Sequence, residues 1–158
     1  NELNTFKKNG LRVTYIGDIS FFPDKVADII RETVESTIDN KILNLNLALG
    51  YSGRQEIVDG VRVLAGKVLN KEIALEDINS SLFSDVLDNG INLGDPDLLI
   101  RTGGEFRISD FLLWQIAYSE IFFSNKYWPD FNEGEYMKAI SSFRSTERRF
   151  GKISEQIN

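Results

Sequence analysis

Two short apolar runs, each followed by a glycine, constrain the fold more than any other feature of this sequence. Residues 11–16 and 42–49 are rich in leucine and β-branched side chains, as buried strands are. Between them, residues 24–39 follow Pro23 and carry apolar side chains at helical spacing. A helix between successive strands is the usual crossover of a parallel pair. We therefore predict the α/β class, with a parallel sheet flanked by helices.

The rest of the chain continues this alternation. We predict, in order, a helix over residues 53–69, a weaker helix over 75–87, a strand over 97–101 and a long helix from Asn132 to about Phe150. Asn132 and Glu135 form the Asn-x-x-Glu pattern of a capping box. No repeat, linker or low-complexity tract interrupts the sequence, so we predict one domain over residues 1–158.

Composition excludes several kinds of chemistry. The chain contains no cysteine and no histidine, which excludes disulfides, zinc–sulfur sites and histidine or thiolate catalysis. A catalytic metal would have to be bound through oxygen, which favours Mg²⁺. A net charge of −6 argues against general nucleic-acid binding, which depends on a basic face.

Sequence patterns also predict where the protein is located in the cell and whether a segment precedes Asn1. The sequence has neither a run of about 20 apolar residues, which a membrane-spanning helix needs, nor a leader in which charged residues precede apolar ones. We therefore expect a cytoplasmic protein. Leu3 and Phe6, followed by two lysines and Gly10, are typical of the last turns of a helix whose start is missing. We expect a segment before Asn1.

Residues 97–120 carry most of the functional information. An apolar run ends at Arg101 and is followed by Gly103 and Gly104, which can adopt positive φ and turn successive N–H groups toward one point. Ser109 and Asp110 are good N-cap residues, and apolar positions over 111–123 predict a helix that begins there. Arg101 and Arg107 would then converge on a positive helix end, a site that suits a diphosphate.

Simpler interpretations remain open. Arg101 and Arg107 could be surface arginines paired with Glu105 or Asp97, because such pairs are common and weak. The basic cluster of Arg144, Arg148 and Arg149 could equally be the solvated face of a C-terminal helix.

Several motifs resemble those of the cis-prenyltransferases, the family of bacterial undecaprenyl diphosphate synthase. The resemblance covers nearly the whole chain. It is carried by residues 16–18 (IGD), 51–57 (YSGRQEI), 100–109 (IRTGGEFRIS), 111–115 (FLLWQ), 117–120 (AYSE), 128–131 (WPDF) and 147–151 (ERRFG). It implies a Mg²⁺-dependent enzyme that condenses isopentenyl diphosphate onto an allylic diphosphate, usually farnesyl diphosphate, repeatedly and with cis geometry. The product would be a carrier lipid for cell-wall sugars, and membrane association would come through that product.

The resemblance also implies roles for individual residues. The substrate-binding set for the diphosphate of isopentenyl diphosphate is Arg101, Arg107, Ile108 and Ser109. Glu120 would bind Mg²⁺. The family is dimeric, and Arg149 and Gly151 match a C-terminal motif that reaches the partner's active site, which implies a homodimer. Leu43 falls on a strand that lines an apolar tunnel in the family, although an ordinary core leucine explains it as well.

The sequence departs from the family pattern in three ways. Asp110 and Gly50 each stand where the family usually has Asn, and Asp110 adds negative charge near the diphosphate site. The N-terminal Asp-Gly-Asn-Gly-Arg-Trp motif and a Phe-Ser-x-Glu-Asn-Trp segment do not occur. With them the expected metal-binding aspartate is missing, so no catalytic residue is assigned. We expect the C-terminal portion of a synthase, inactive alone.

Three functions therefore compete. The chain could belong to a cis-prenyltransferase, could be a non-catalytic subunit that pairs with a catalytic partner, or could be an unrelated phosphate-binding module. Retention of both Arg101 and Glu120 favours the enzyme, because a scaffold needs no metal ligand. The third function rests on the glycine turn alone.

Overall fold

A computed structural model describes residues 2–87 and 94–146 of the chain. Contacts divide the chain into two compact units, residues 1–91 and 92–158. Each unit contains one pair of parallel strands together with helices, so the predicted α/β class is confirmed. No helix in the described ranges is long and apolar enough to cross a membrane.

The first unit follows the predicted alternation of helices and strands. Its elements are α1 (Glu2–Lys8), β1 (Leu11–Ile16), α2 (Asp24–Ser36), β2 (Leu43–Ala48), α3 (Gly53–Leu69) and α4 (Ser80–Leu87), with 3₁₀ turns at Ile19–Phe21 and Leu75–Asp77. Strands β1 and β2 pair in parallel from Leu11 opposite Leu43 to Ile16 opposite Ala48. Both strand predictions and the helices α2 and α3 are confirmed, whereas the helix predicted over residues 75–87 begins only at Ser80, after the 3₁₀ turn.

The end of α2 is fastened to β1 through polar side chains. Thr37 is buried, and its Oγ1 accepts a hydrogen bond from the Val13 N–H (3.0 Å) while donating to the Thr33 carbonyl (2.8 Å). Asn40 donates from Nδ2 to the Leu11 carbonyl (2.7 Å). These contacts give side-chain partners to the Val13 N–H and the Leu11 carbonyl. They fix the crossover that makes β1 and β2 parallel.

Two glycines shape the carboxyl ends of β1 and β2. Gly17 (φ 97°) and Gly50 (φ 59°) both have positive φ. A Cβ on Gly17 would lie 2.3 Å from the Leu49 carbonyl oxygen, and one on Gly50 would lie 2.4 Å from the Asp18 carbonyl oxygen. The two loops therefore pass each other too closely for side chains. The φ of Gly50 is one that Asn tolerates as well as Gly, but the close approach of the Asp18 carbonyl oxygen leaves room only for Gly in this structure.

The second unit contains β3 (Leu98–Arg101), β4 (Glu120–Phe123) and α5 (Glu133–Ser145), with 3₁₀ turns at Gln115–Tyr118 and Trp128–Asp130. Strands β3 and β4 are parallel, with Leu98 opposite Glu120 and Arg101 opposite Phe123. The predicted cap of α5 is confirmed, because the Asn132 side chain accepts from the Glu135 N–H (3.2 Å). Its predicted end near Phe150 is wrong, because Thr146 is extended (φ −87°, ψ 129°).

The predicted helix over residues 109–123 is also wrong. Ser109, Asp110 and Leu112 all have positive φ (47°, 64° and 46°), which a right-handed helix does not allow. Only Gln115–Tyr118 forms a short 3₁₀ turn, and Glu120–Phe123 is a strand. The β-branched and aromatic side chains at 121–123 fit a strand beside β3, so pairing in the sheet overrides the apparent helical spacing.

A matched pair of glycine substitutions tests the loop crossing at β1 and β2. We expect Gly17→Ala to lower the free energy of unfolding by about 2 kcal/mol or more, because the new Cβ meets backbone at positive φ. Gly66→Ala, inside α3 with nothing within 4 Å of its Cβ position, should instead raise it by about 0.5–1 kcal/mol. Urea denaturation followed by circular dichroism measures both. Equal effects of the two substitutions would contradict the crossing.

Candidate functional site

Arg101 stands at the carboxyl end of β3 and is the better buried of the two candidate arginines. Its side chain is 24% exposed. Nη1 donates to Ser109 Oγ (3.0 Å) and Nη2 donates to Glu105 Oε2 (2.6 Å). Its Nε is buried and has no hydrogen-bond partner among the described residues. Both the strand and Ser109 thus hold Arg101 in position.

Arg107 is held differently, by a single residue. Its Nε donates to Glu105 Oε2 (2.8 Å) and its Nη2 donates to Glu105 Oε1 (2.5 Å). The side chain is 64% exposed. Two parallel N–H bonds to one carboxylate are the bidentate geometry that guanidinium groups also offer to phosphate. The alternative of arginines paired with Glu105 is therefore what the structure displays, and it brings both predicted arginines together.

Glu105 lies between the two guanidinium groups, and its ionisation reflects them. Hydrogen bonds from Arg107 lower the pKa of the Glu105 carboxyl below its usual range, with a smaller contribution from Arg101. The same contact raises the pKa of Arg107. The group therefore carries two positive charges and one negative charge at neutral pH, which leaves a net positive site for an anion.

The glycine turn contributes less than the sequence suggested. Gly103 and Gly104 do have positive φ (93° and 75°). However, their N–H groups donate to the carbonyls of Lys126 (2.7 Å) and Ser124 (3.0 Å), so they are not turned toward an anion. The predicted backbone cradle is wrong, because these donors continue the β3–β4 hydrogen bonding beyond the strands. The N–H groups of Gly103 and Gly104 therefore do not contribute to an anion site.

The prediction that a positive helix end helps to bind the anion is also wrong, since no helix begins at Ser109. Ser109 still takes part, because its hydroxyl accepts from Arg101. Ile108 is half-buried, and its carbonyl accepts from the Phe111 N–H (3.2 Å). Asp110 has φ 64°, a conformation that Asn and Asp tolerate better than most residues. The departure from Asn at this position therefore preserves the backbone.

Glu120 is separated from the arginines. It begins β4 opposite Leu98, whereas Arg101 lies opposite Phe123 at the other end of the strand pair. Three residues of strand correspond to about 10 Å. No group of three or more acidic side chains that could hold a metal occurs within the ranges that the structure describes. Glu120 offers one oxygen ligand of the kind that Mg²⁺ prefers, but the described residues alone do not form a magnesium site.

A cleft in the first unit was missed by sequence reasoning. It encloses about 550 Å³ and is lined by the loops after β1 and β2 and by the first half of α3. Tyr51 donates to Glu56 Oε2 (2.7 Å), and Ser52 caps α3 by accepting from the Gln55 N–H (3.2 Å). The Asp18 carboxylate accepts from the Ser20 N–H (2.8 Å), and Ser20 lowers its pKa.

Two glycine-ended parallel strands were the signal that could have located this cleft, because ligands of α/β sheets bind beyond strand carboxyl ends. Its lining includes Asp18, Glu56 and Asp59, so the cleft does not suit an anion by itself.

Leu43, which the family resemblance placed on an apolar tunnel, begins β2 and is 57% exposed. Arg148, Arg149 and Gly151 lie outside the described residues, and their predicted contact with a partner stays a prediction.

The chain is similar in sequence to a known family of proteins. The family model described as "Putative undecaprenyl diphosphate synthase" matches residues 1–151. The chain is 47% identical over 158 residues to a (2E,6E)-farnesyl-diphosphate-specific ditrans,polycis-undecaprenyl-diphosphate synthase of Wigglesworthia glossinidia brevipalpis, covering 100% of this chain and 60% of that protein. It is 45% identical over 155 residues to the chloroplastic cis-prenyltransferase 4 of Solanum lycopersicum, covering 98% and 50%.

Solved structures agree with these sequence matches. The crystal structure of lavandulyl diphosphate synthase from Lavandula x intermedia, in complex with dimethylallyl diphosphate, has a TM-score of 0.89 at 36% identity, covering 96% of this chain and 64% of that one. A structure described as a probable undecaprenyl diphosphate synthase from Campylobacter jejuni has a TM-score of 0.80 at 37% identity, covering 95% and 67%. The chain thus spans about half to three-fifths of the length of the curated relatives that it matches.

Carboxyl titration tests the contact between Glu105 and Arg107. We expect the Glu105 side chain to titrate below the usual range of a glutamate. Its pairing should therefore be complete at neutral pH and disappear as pH falls through that lowered pKa. Arg107→Ala should raise the midpoint toward the usual value, and Arg101→Ala should raise it less. Carbon-detected NMR of the carboxyl group measures all three. An unchanged midpoint in Arg107→Ala would rule out the contact.

Proposed function

The chain belongs to the family of undecaprenyl diphosphate synthases, and from this membership we propose that it serves a cis-prenyltransferase. The reaction would join isopentenyl diphosphate to an allylic diphosphate. A carbon–carbon bond forms, the allylic carbon–oxygen bond breaks, inorganic pyrophosphate leaves and one proton is lost from the isopentenyl group. Repetition with cis geometry would give a long polyprenyl diphosphate.

The observation that supports this proposal best is the pair of guanidinium groups at the end of β3. Arg101 and Arg107 both donate to one carboxylate, so a single anion can contact both. We assign them, with Ser109 and the adjoining Ile108, to the diphosphate of isopentenyl diphosphate. Guanidinium groups suit this task because they bind phosphate oxygens in pairs.

The second substrate that we propose is an allylic diphosphate. The relative from Wigglesworthia glossinidia brevipalpis is named as farnesyl-diphosphate specific, and one from Thermoplasma volcanium, 43% identical over 145 residues, as geranylgeranyl-diphosphate specific. Both of these named substrates carry a diphosphate on an allylic chain. We propose farnesyl diphosphate because the relative specific for it matches across the whole chain.

Further properties belong to the same proposal. We propose that Mg²⁺ is required, with Glu120 as one ligand and the remaining oxygens coming from phosphate, water or sequence outside this chain. A homodimer in which Arg149 and Gly151 reach the partner's site, and a product that carries cell-wall sugars, are likewise proposed. The chain should be inactive alone, since Glu120 has no acidic cluster around it among the described residues.

A non-catalytic partner subunit is the second candidate. The observation that favours it is the separation of Glu120 from Arg101 at opposite ends of the strand pair. Such a subunit would bind a diphosphate and show no turnover even as the product of the complete gene. The enzyme and the subunit are thus separated by incorporation of radiolabelled isopentenyl diphosphate into lipid by that product.

Substitution of Arg107 tests the assigned binding role. In the product of the complete gene, we expect Arg107→Ala to raise the KM for isopentenyl diphosphate by about tenfold or more, because charge-assisted hydrogen bonds to the diphosphate are lost. Arg107→Lys should fall between, since lysine keeps the charge without the fork. Arg31→Ala, which removes an exposed arginine paired with Asp28, is the control. An unchanged KM in Arg107→Ala would exclude the role.

Substitution of Glu120 tests the metal assignment separately. We expect Glu120→Gln to raise the Mg²⁺ concentration that gives half-maximal activity, because an anionic oxygen ligand is lost. Glu133→Gln, an exposed glutamate in the first turn of α5, serves as the control. Titration of activity with Mg²⁺ at saturating substrate gives the answer. The assignment fails if the two variants have the same dependence on Mg²⁺.

A further inference from the structure

The Glu105 carboxylate occupies the Nε–Nη2 edge of Arg107 and accepts one further hydrogen bond from Arg101. Its Oε2 accepts from Arg101 Nη2 (2.6 Å) and Arg107 Nε (2.8 Å), and its Oε1 accepts from Arg107 Nη2 (2.5 Å). We infer that Glu105 is an internal anion that stands in for the substrate, and that it must leave Arg107 before a diphosphate can bind both guanidinium groups. This inference rests on the proposed function, in which those arginines bind a diphosphate.

The geometry at Arg107 shows why the two anions compete. The Nε and Nη2 of a guanidinium form one edge of its planar fork, and this edge is the one that binds carboxylate or phosphate with two parallel bonds. Glu105 uses that edge with both of its oxygens. A phosphate group that approached the same edge would meet a carboxylate of like charge. Binding in this geometry therefore requires Glu105 to move.

The exposure of Glu105 and Arg107 makes such a movement feasible. Glu105 is 45% exposed and Arg107 is 64% exposed, so the pair lies in contact with water. Exposed pairs are weak, because water and salt screen them. Glu105 can therefore exchange its protein partners for water at small cost, whereas a buried carboxylate could not.

Arg101 plays a different part in the exchange. Its side chain is only 24% exposed, Arg101 is the last residue of β3, and its Nη1 donates to Ser109 independently of Glu105. Loss of Glu105 leaves Arg101 anchored and leaves Arg107 without its bidentate carboxylate partner. Arg101 is thus the fixed contact for an incoming anion, and Arg107 is the contact that Glu105 releases.

Charge decides the direction of the exchange. A diphosphate carries more negative charge than one carboxylate, so it gains more from two guanidinium groups. Without any anion, the two positive groups would repel each other. Glu105 thus compensates the arginines when the site is empty. It also weakens binding of every anion that competes with it, so its removal should strengthen anion binding.

Isothermal titration calorimetry with inorganic pyrophosphate, in metal-free buffer, tests this inference on the 158-residue chain. We expect Glu105→Gln to bind pyrophosphate roughly twofold to tenfold more tightly than the unmodified chain, the range that release of exposed charge pairs allows. Asp28→Asn is the matched control, because it removes the same charge from an exposed carboxylate–arginine pair in the other unit. The control should bind as the unmodified chain does.

Other outcomes separate this inference from the proposed function. If Arg107→Ala abolishes binding but Glu105→Gln binds equally or more weakly, the diphosphate site stands and the role of Glu105 is wrong. If neither the unmodified chain nor Glu105→Gln binds pyrophosphate, both are wrong.

A second readout needs no substitution at Glu105. Saturating pyrophosphate should move the NMR carboxyl resonance of Glu105 to its position in Arg107→Ala. A resonance that stays in place while pyrophosphate binds would overturn the inference even if the Glu105→Gln variant failed to fold.

Discussion

The parallel pairing of β3 with β4 is the constraint on which the candidate site depends. It does not end with the strands, because the N–H groups of Gly103 and Gly104 bond to carbonyls that follow β4. The Ser124 N–H in turn donates to the Arg101 carbonyl (2.8 Å). Backbone bonds to β4 and to the residues after it therefore hold both Arg101 and the glycine turn, and the loop that carries Glu105 and Arg107 begins from this fixed point. The side chains of that loop can then meet Arg101 without help from a helix.

Charge compensation is the second requirement of this arrangement. Two guanidinium groups in one place repel each other. The Glu105 carboxylate compensates this charge, since it bonds to both arginines. The same group explains how an acidic chain of net charge −6 can present a local site for anions.

Sequence reasoning succeeded where local signals and tertiary structure agree. Leu11–Ile16 and α2 were predictable because apolar runs, Pro23 and the helical stripe all indicate one outcome, and Asn132 caps α5 as its pattern indicates. It failed over residues 109–123, because the partner that makes Glu120–Phe123 a strand lies about 20 residues earlier. The glycine turn was likewise predictable only in its local conformation. Its positive φ followed from residue type, but the partners of its N–H groups, Ser124 and Lys126, depend on the strand pairing. The meeting of Arg101, Arg107 and Ser109 was nevertheless expected from the motif, and the separation of Glu120 was not.

We propose above that Arg101 and Arg107 bind the diphosphate of isopentenyl diphosphate. The most direct test is NMR mapping of isopentenyl diphosphate on the labelled chain, with the arginine side-chain Nε resonances observed together with the backbone. Binding at these arginines should give saturable shifts of the Arg101 and Arg107 Nε signals and of the Ser109 amide. Saturable shifts confined to the cleft around Gly17 and Tyr51, with both arginine signals unmoved, would contradict it.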